Sequence, residues 1–140
     1  MSEKYKLQII DDSSFNLSLE KVSYNSLGIP EGLSKGENLK LRTKDNYKIL
    51  RIRNNEVKIE FIREKYFEPI VLFQLKIVLN IVYKLRESNN KEKMKGIEQD
   101  LKNGYSRLLS PAATRASILV TALTGINFKN PIVDPPYPVL

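Results

Sequence analysis

The sequence contains no cysteine and no histidine. Without a thiol or an imidazole, the usual nucleophile and base pairings are excluded, and so is every ordinary structural zinc site. There is nothing for an oxidising compartment to crosslink. Long apolar runs are also missing. The most apolar stretch, residues 69–85, is short of the ~20 apolar residues a membrane-spanning helix needs and carries a lysine inside. The N-terminus, MSEKYKLQIIDDSS, lacks the apolar core and small-residue cleavage site of a signal peptide, so a cytoplasmic location is expected. No glycine-rich phosphate loop is present, because Gly28, Gly32 and Gly36 have neither the spacing nor the strand–helix context. The visible carboxylate groupings are Asp11-Asp12, Glu64 with Glu68, and Glu98 with Asp100. Placed beside turns and on polar helix faces, they read as solvated surface rather than as acid–base pairs, and no enzyme is expected.

What is there suits one soluble domain with a real core: 140 residues, 41% hydrophobic and 28% charged. The formal charge is +7. A basic balance can serve nucleic acid, acidic partners or an anionic membrane, but no aromatic-basic string or recognition helix stands out. A basic nucleic-acid-binding protein is therefore kept only as an alternative.

The organising stretch is PIVLFQLKIVLNIVYKL, residues 69–85. Val71, Phe73, Leu75, Ile77, Leu79, Ile81, Tyr83 and Leu85 form an unbroken apolar set at every second residue. A period of two means a strand with one face committed to a core. The other register mixes Leu72, Val78 and Val82 with Gln74, Lys76, Asn80 and Lys84. That is too apolar for a face meant only for water, and these three residues are expected to form an oligomer interface.

Earlier in the chain, Phe15, Leu17 and Leu19 alternate, and Val22 and Tyr24 alternate in the opposite register. The switch implies a bulge near Glu20-Lys21. Residues 25–38 hold half of the glycine and a proline and read as a loop. Leu39 and Leu41 restart the alternation, and Tyr47, Ile49 and Ile52 continue it after a polar interruption at Lys44-Asp45-Asn46. Asn54-Asn55 is a turn, since asparagine tolerates positive φ. Val57, Ile59 and Phe61 make a third strand, and residues 63–69, REKYFEP, turn the chain into the central one. Short connections make the four strands antiparallel.

The period then changes. Met94, Ile97, Leu101, Tyr105, Leu108, Ala112, Ala116, Leu119 and Leu123 recur at threes and fours, one stripe of a helical region. Ser110-Pro111 interrupts it, as a kink or a full break, giving 92–109 and 111–124. Gly125 is the natural stop. The expected fold is α+β: a four-stranded antiparallel sheet with the kinked helical region packed on one face. The single domain divides into a lead over 1–13, a sheet over 14–86, helices over 87–125 and a proline-rich tail over 126–140.

The segment 97–139 resembles the SecB protein-export chaperones. Tyr105, Pro111, Arg115, Ile118, Gly125, Pro131 and Pro135-Pro136-Tyr137 follow that family's order with similar spacing, and Val22-Ser23-Tyr24 looks like the Leu-Ser-Phe of its first strand. The resemblance implies a cytoplasmic homotetramer, a dimer of dimers, that holds unfolded secretory precursors and hands them to the SecA motor. It implies no enzyme activity and no cofactor. A variant is a chaperone dedicated to one client, such as an antitoxin. Three departures stand out. The family is usually acidic and this chain is basic. The family's SecA-docking carboxylates fall here on Lys21 and Asn25, so docking to SecA is doubtful. The family's last helix has no counterpart before Leu140. Ile126, Phe128, Ile132, Val133 and Tyr137 of the tail are expected to line the client groove.

Overall fold

The computed structural model describes residues 10–28, 40–68, 72–86, 90–103, 106–127 and 134–140. Four strands, β1 (Ile10–Gly28), β2 (Lys40–Arg53), β3 (Glu56–Glu68) and β4 (Leu72–Leu85), form one antiparallel sheet in the order β1-β4-β3-β2. Two helices follow, α1 (Asn90–Leu101) and α2 (Ser110–Asn127). The architecture is the α+β sandwich expected from the period change. The strand order, with β1 and β2 at opposite edges, brings β4 to an inner position where its apolar register is covered. Phe73, Leu75, Ile77, Leu79, Ile81, Tyr83 and Leu85 are all buried.

Two of the four register shifts among the described strands keep apolar residues on the helix side. In β1 the pairing slips between Leu19 and Lys21, which keeps Leu17, Leu19, Val22 and Tyr24 on the helix side. In β2 it slips between Ile49 and Arg51, leaving Leu50 as the extra residue and keeping both Ile49 and Ile52 inward. The β2–β3 hairpin closes on Asn54 and Asn55, with φ of 53° and 58°. Two successive positive φ values are what the right-handed twist of a two-residue hairpin requires, and asparagine accepts them readily.

Several boundaries differ from the sequence reading. β1 starts at Ile10, in the lead, and runs to Gly28, past the expected loop start at Asn25. β3 runs on through Arg63–Glu68, where a turn was expected. α2 passes Gly125 and ends at Asn127, so Ile126 belongs to the helix rather than the tail. The helical region breaks as expected, with Ser110-Pro111 opening α2, but α1 ends at Leu101 rather than at 109. Proline suits that first turn because its missing N–H has no helical partner to lose.

Asp100 makes the break possible and is not surface. It is buried at the end of α1 and accepts from Ser106 Oγ (2.6 Å), Arg107 N (3.1 Å) and Leu108 N (3.0 Å). Ser106 Oγ accepts in turn from Leu109 N. Tyr83 Oη donates to the Leu108 carbonyl at 2.9 Å and ties this corner to β4. Burial, and then the nearby Asp100, push the Tyr83 phenol above its ordinary pKa, which keeps it a neutral donor. Ala112, Ala113 and Ala116 are fully buried, and their small side chains let α2 approach the sheet closely. Of the expected helical stripe, Ile97, Leu101, Leu108, Ala112 and Ala116 are core, Leu119 and Leu123 pack at its margin, and Met94 is exposed. Tyr105 lies outside the described residues.

The two registers of β4 should respond differently to truncation. Leu75→Ala is expected to cost about 2–5 kcal/mol in urea unfolding, and Lys76→Ala less than about 0.5 kcal/mol. Equal losses at the two positions would mean that the register is wrong.

Candidate functional site

The helix side of the sheet is covered unevenly. Helices cover β3 and β4, and the segment 134–140 covers β2 and β3. The reason lies in two basic residues. Arg63 and Lys65 continue the inward register of Val57, Ile59 and Phe61, so they point into the core side and are buried. The bulge at Leu50 shifts β2 by one residue and sets Asp45 opposite Arg63. Without that slip Asp45 would face Glu64.

Arg63 uses every N–H it has. Nε and Nη2 grip the two oxygens of Asp45 at 2.8 and 2.7 Å, a bidentate pair. Nη1 donates to Asp134 Oδ2 at 2.6 Å and to the Pro135 carbonyl at 2.5 Å, and Nη2 also reaches the Tyr137 carbonyl at 2.9 Å. Lys65 Nζ donates to Thr43 Oγ1 and sits 2.6 Å from Asp134 Oδ1, a contact of charge without hydrogen-bond geometry. Two cations thus face two carboxylates out of water. Burial opposes the charged guanidinium, but Asp45 and then Asp134 hold its pKa above the ordinary value.

The tail completes this centre. Its prolines cannot donate from the backbone, so it presents mainly carbonyls. Arg63 takes two of them, Ser117 Oγ donates to the Asp134 carbonyl, and Thr114 Oγ1 donates to that of Pro136. Val139 N donates to Asp45 Oδ2, and Asp45 N donates to the Val139 carbonyl. The tail is therefore fastened through its backbone. The Tyr137 side chain stays 53% exposed while its carbonyl is held inside.

At the other edge, no described element pairs with or covers the outer side of β1. Phe15, Leu19 and Val22 lie in the helix-side register yet remain 42%, 50% and 38% exposed. A cleft of about 410 Å³ opens at the Phe15 end of this strip, lined by Ile10, Phe15, Tyr83, Arg107, Pro111 and Thr114 among others. Phe15 packs on Tyr83 with ring centroids 5.8 Å apart. The arrangement is an apolar strip along an edge strand, flanked by the first turns of α2. Such a surface suits an extended apolar chain, with the strand edge free to pair its backbone. Among the described residues no group of three or more metal-ligating side chains comes together, and no helix is long and apolar enough to cross a membrane.

The fold has a counterpart of known structure. A SecB-like chaperone from Mycobacterium tuberculosis, Rv1957, in complex with a ChAD peptide from the Rv1956 HigA1 antitoxin, superposes with a TM-score of 0.61. The match covers 89% of this chain and 88% of that one. The fold is SecB-like. Identity is 9%, so the likeness lies in the backbone and not in shared residues. A protein of unknown function from Streptococcus agalactiae is a weaker match, with a TM-score of 0.44, 14% identity, and 88% and 98% of the two chains covered. No family model matches the sequence. No curated protein matches it either.

Within this SecB-like frame, the residues singled out from sequence are scattered. Phe128, Ile132 and Val133 lie outside the described residues, as does the side chain of Ile126. Tyr137 is over the β2 half of the sheet, at the edge away from β1. Lys21 and Asn25 are exposed on the outward face of β1, opposite Val78 and Gln74. Val78 is only 9% exposed within the single chain, Val82 is half-buried, and the side chain of Leu72 is not described. Sequence reasoning missed Asp45, Arg63, Lys65 and Asp134, and gave no weight to the exposure of Phe15, Leu19 and Val22. Carrying the β3 alternation on to Phe67 is the signal that turns Arg63 and Lys65 inward.

The polar centre is testable by a double-mutant cycle. Arg63→Met leaves two buried carboxylates facing each other and should cost about 3–5 kcal/mol. Asp45→Asn should then cost less in the Arg63→Met background than alone, with a coupling of about 1–3 kcal/mol in urea unfolding. Additive losses would show that the pair does not act as a unit.

Proposed function

We propose that this protein is a nucleotide-independent chaperone that binds extended apolar segments of unfolded or precursor polypeptides. The observation that supports this reading best is the uncovered strip Phe15, Leu19 and Val22 beside an open strand edge. Large apolar side chains in contiguous exposure mark interaction surfaces. The SecB-like fold agrees with it, and the mycobacterial chaperone of that fold is bound to an antitoxin peptide. A chaperone dedicated to one client of that kind is the more specific form of the proposal. Tyr137, with Ile126, Phe128, Ile132 and Val133, is proposed as a second client-binding wall.

A role in export through SecA is the less favoured form. Lys21 and Asn25 put a cation and an amide where a basic docking tail needs carboxylates, and like charges brought together are penalised. A homo-oligomer of two or four copies belongs to the proposal, because weak apolar contacts gain from being repeated. Leu72, Val78 and Val82 remain its sequence-based interface. The basic residues around Val78 and Val82 weigh against that choice, since a self-contact there would set like charges against each other.

The test is suppression of aggregation of a chemically unfolded reporter protein. Leu19→Ser with Val22→Ser should abolish most of the protection while shifting stability by less than about 1 kcal/mol, since both residues are exposed. Full protection by the double variant, or a loss of stability in step with it, would place these residues outside the client site.

A further inference from the structure

The described helices and tail all pack on one face of the sheet, and among the described residues the other face is formed by the strands alone. Its charge is strongly one-sided. β2 contributes Lys40, Arg42, Lys44, Lys48, Arg51 and Arg53, all exposed, and no acid. β3 answers with Glu56, Glu60, Glu64 and Glu68, and also adds Lys58. Lys76 and Lys84 of β4 and Lys21 of β1 add three more cations, and Glu20, which accepts from Ser18, adds one acid at the β1 edge. Most of the chain's positive excess therefore sits on this one surface.

The glutamates are already spoken for by position. Glu56, Glu60, Glu64 and Glu68 stand opposite Arg53, Lys48, Lys44 and Lys40, and Glu68 is in ion contact with Arg42 at 3.2 Å. Glu56 and Glu64 also face Lys84 and Lys76 on the other side. One position breaks the pattern. Arg51 stands opposite Lys58, two cations side by side with no ion pair to either among the described residues. Directly opposed like charges destabilise a sheet, so an anion between them would be favourable. Beyond Lys58 lies Val82, and Ile62 and Val78 pair nearby. Small apolar side chains, Val82, Ile62 and Val78, thus alternate with the cations and with the Glu60–Asn80 row, a mixed surface of the kind that docks protein segments.

We propose that this outward face docks an acidic polypeptide segment, with the Arg51–Lys58 pair as its anchor for a carboxylate. A second copy is the wrong occupant, because two such faces repel. A nucleic acid fits less well: the row of glutamates along β3 opposes a continuous phosphate chain, and among the described residues Tyr66 is the one aromatic on this face available for base stacking. Discrete carboxylates separated by apolar residues match the spaced cations and the valines set among them, and can step past Glu60 where a continuous phosphate chain cannot. This site is separate from the β1 strip, and its docking needs no client there.

The experiment measures binding of a short peptide alternating glutamate and valine, of its lysine–valine counterpart, and of a thymidine oligomer of equal charge, by fluorescence anisotropy at low salt. The expected result is binding of the acidic peptide, at least about ten-fold weaker in Arg51→Glu/Lys58→Glu than in Lys95→Glu/Lys102→Glu, two exposed helix lysines whose change alters net charge equally. Aggregation suppression by the Arg51→Glu/Lys58→Glu variant is expected to stay normal. Equal weakening in both variants would reduce the effect to net charge and overturn the site. No binding of the acidic peptide, or tighter binding of the thymidine oligomer, would overturn the choice of partner.

Discussion

The Arg63 guanidinium is the constraint on which the rest of the arrangement depends. A cation of that size on the core side of a sheet is not tolerated unless every donor is met and the charge is balanced. Asp45 from the neighbouring strand and Asp134 from the far end of the chain provide the balance, and carbonyls of a proline-rich segment provide the remaining acceptors. The segment has no regular structure of its own to satisfy those carbonyls. Each side solves the other's problem, and the last residues become a wall of the domain.

That solution divides the molecule. The β2 half of the helix side is closed by a polar lock, and the β3–β4 part by alanine-lined contact with α2. Among the described residues the β1 edge receives neither, so Phe15, Leu19 and Val22 stay largely in water while Leu17 and Tyr24 reach the core. The outward face has no layer over it and carries the charge. The two surfaces proposed above, one for apolar segments and one for acidic ones, share one origin: among the described residues two helices and a tail do not cover four long strands.

Much of the fold was legible in the sequence. The alternation in residues 73–85, the register switch near Glu20-Lys21 and the Asn54-Asn55 turn are local signals, and local physics wrote them. The missed features share a different cause. Asp45 looked like an interruption and Arg63-Glu64-Lys65 like a turn, because a charge at an inward position is readable only when its partner is known. That partner depends on a one-residue bulge at Leu50 and on a segment about seventy residues away. Strand order was likewise not legible, since nothing near β1 or β2 in sequence says that β4 lies between β1 and β3. For the site, the apolar residues of β1 were visible as a strand, but their exposure follows from where the helices end.

The most direct measurement is native-state hydrogen exchange at two backbone amides, Val139 and Asp45. Each donates across the contact between the tail and β2. If the polar centre makes the tail part of the folded domain, both amides exchange only through the opening that also frees the β4 amides, and their protection matches that of Ile77 and Leu79. If Val139 exchanges at the rate of an unstructured chain while β4 stays protected, the tail is not held, and Arg63 is not what closes the fold.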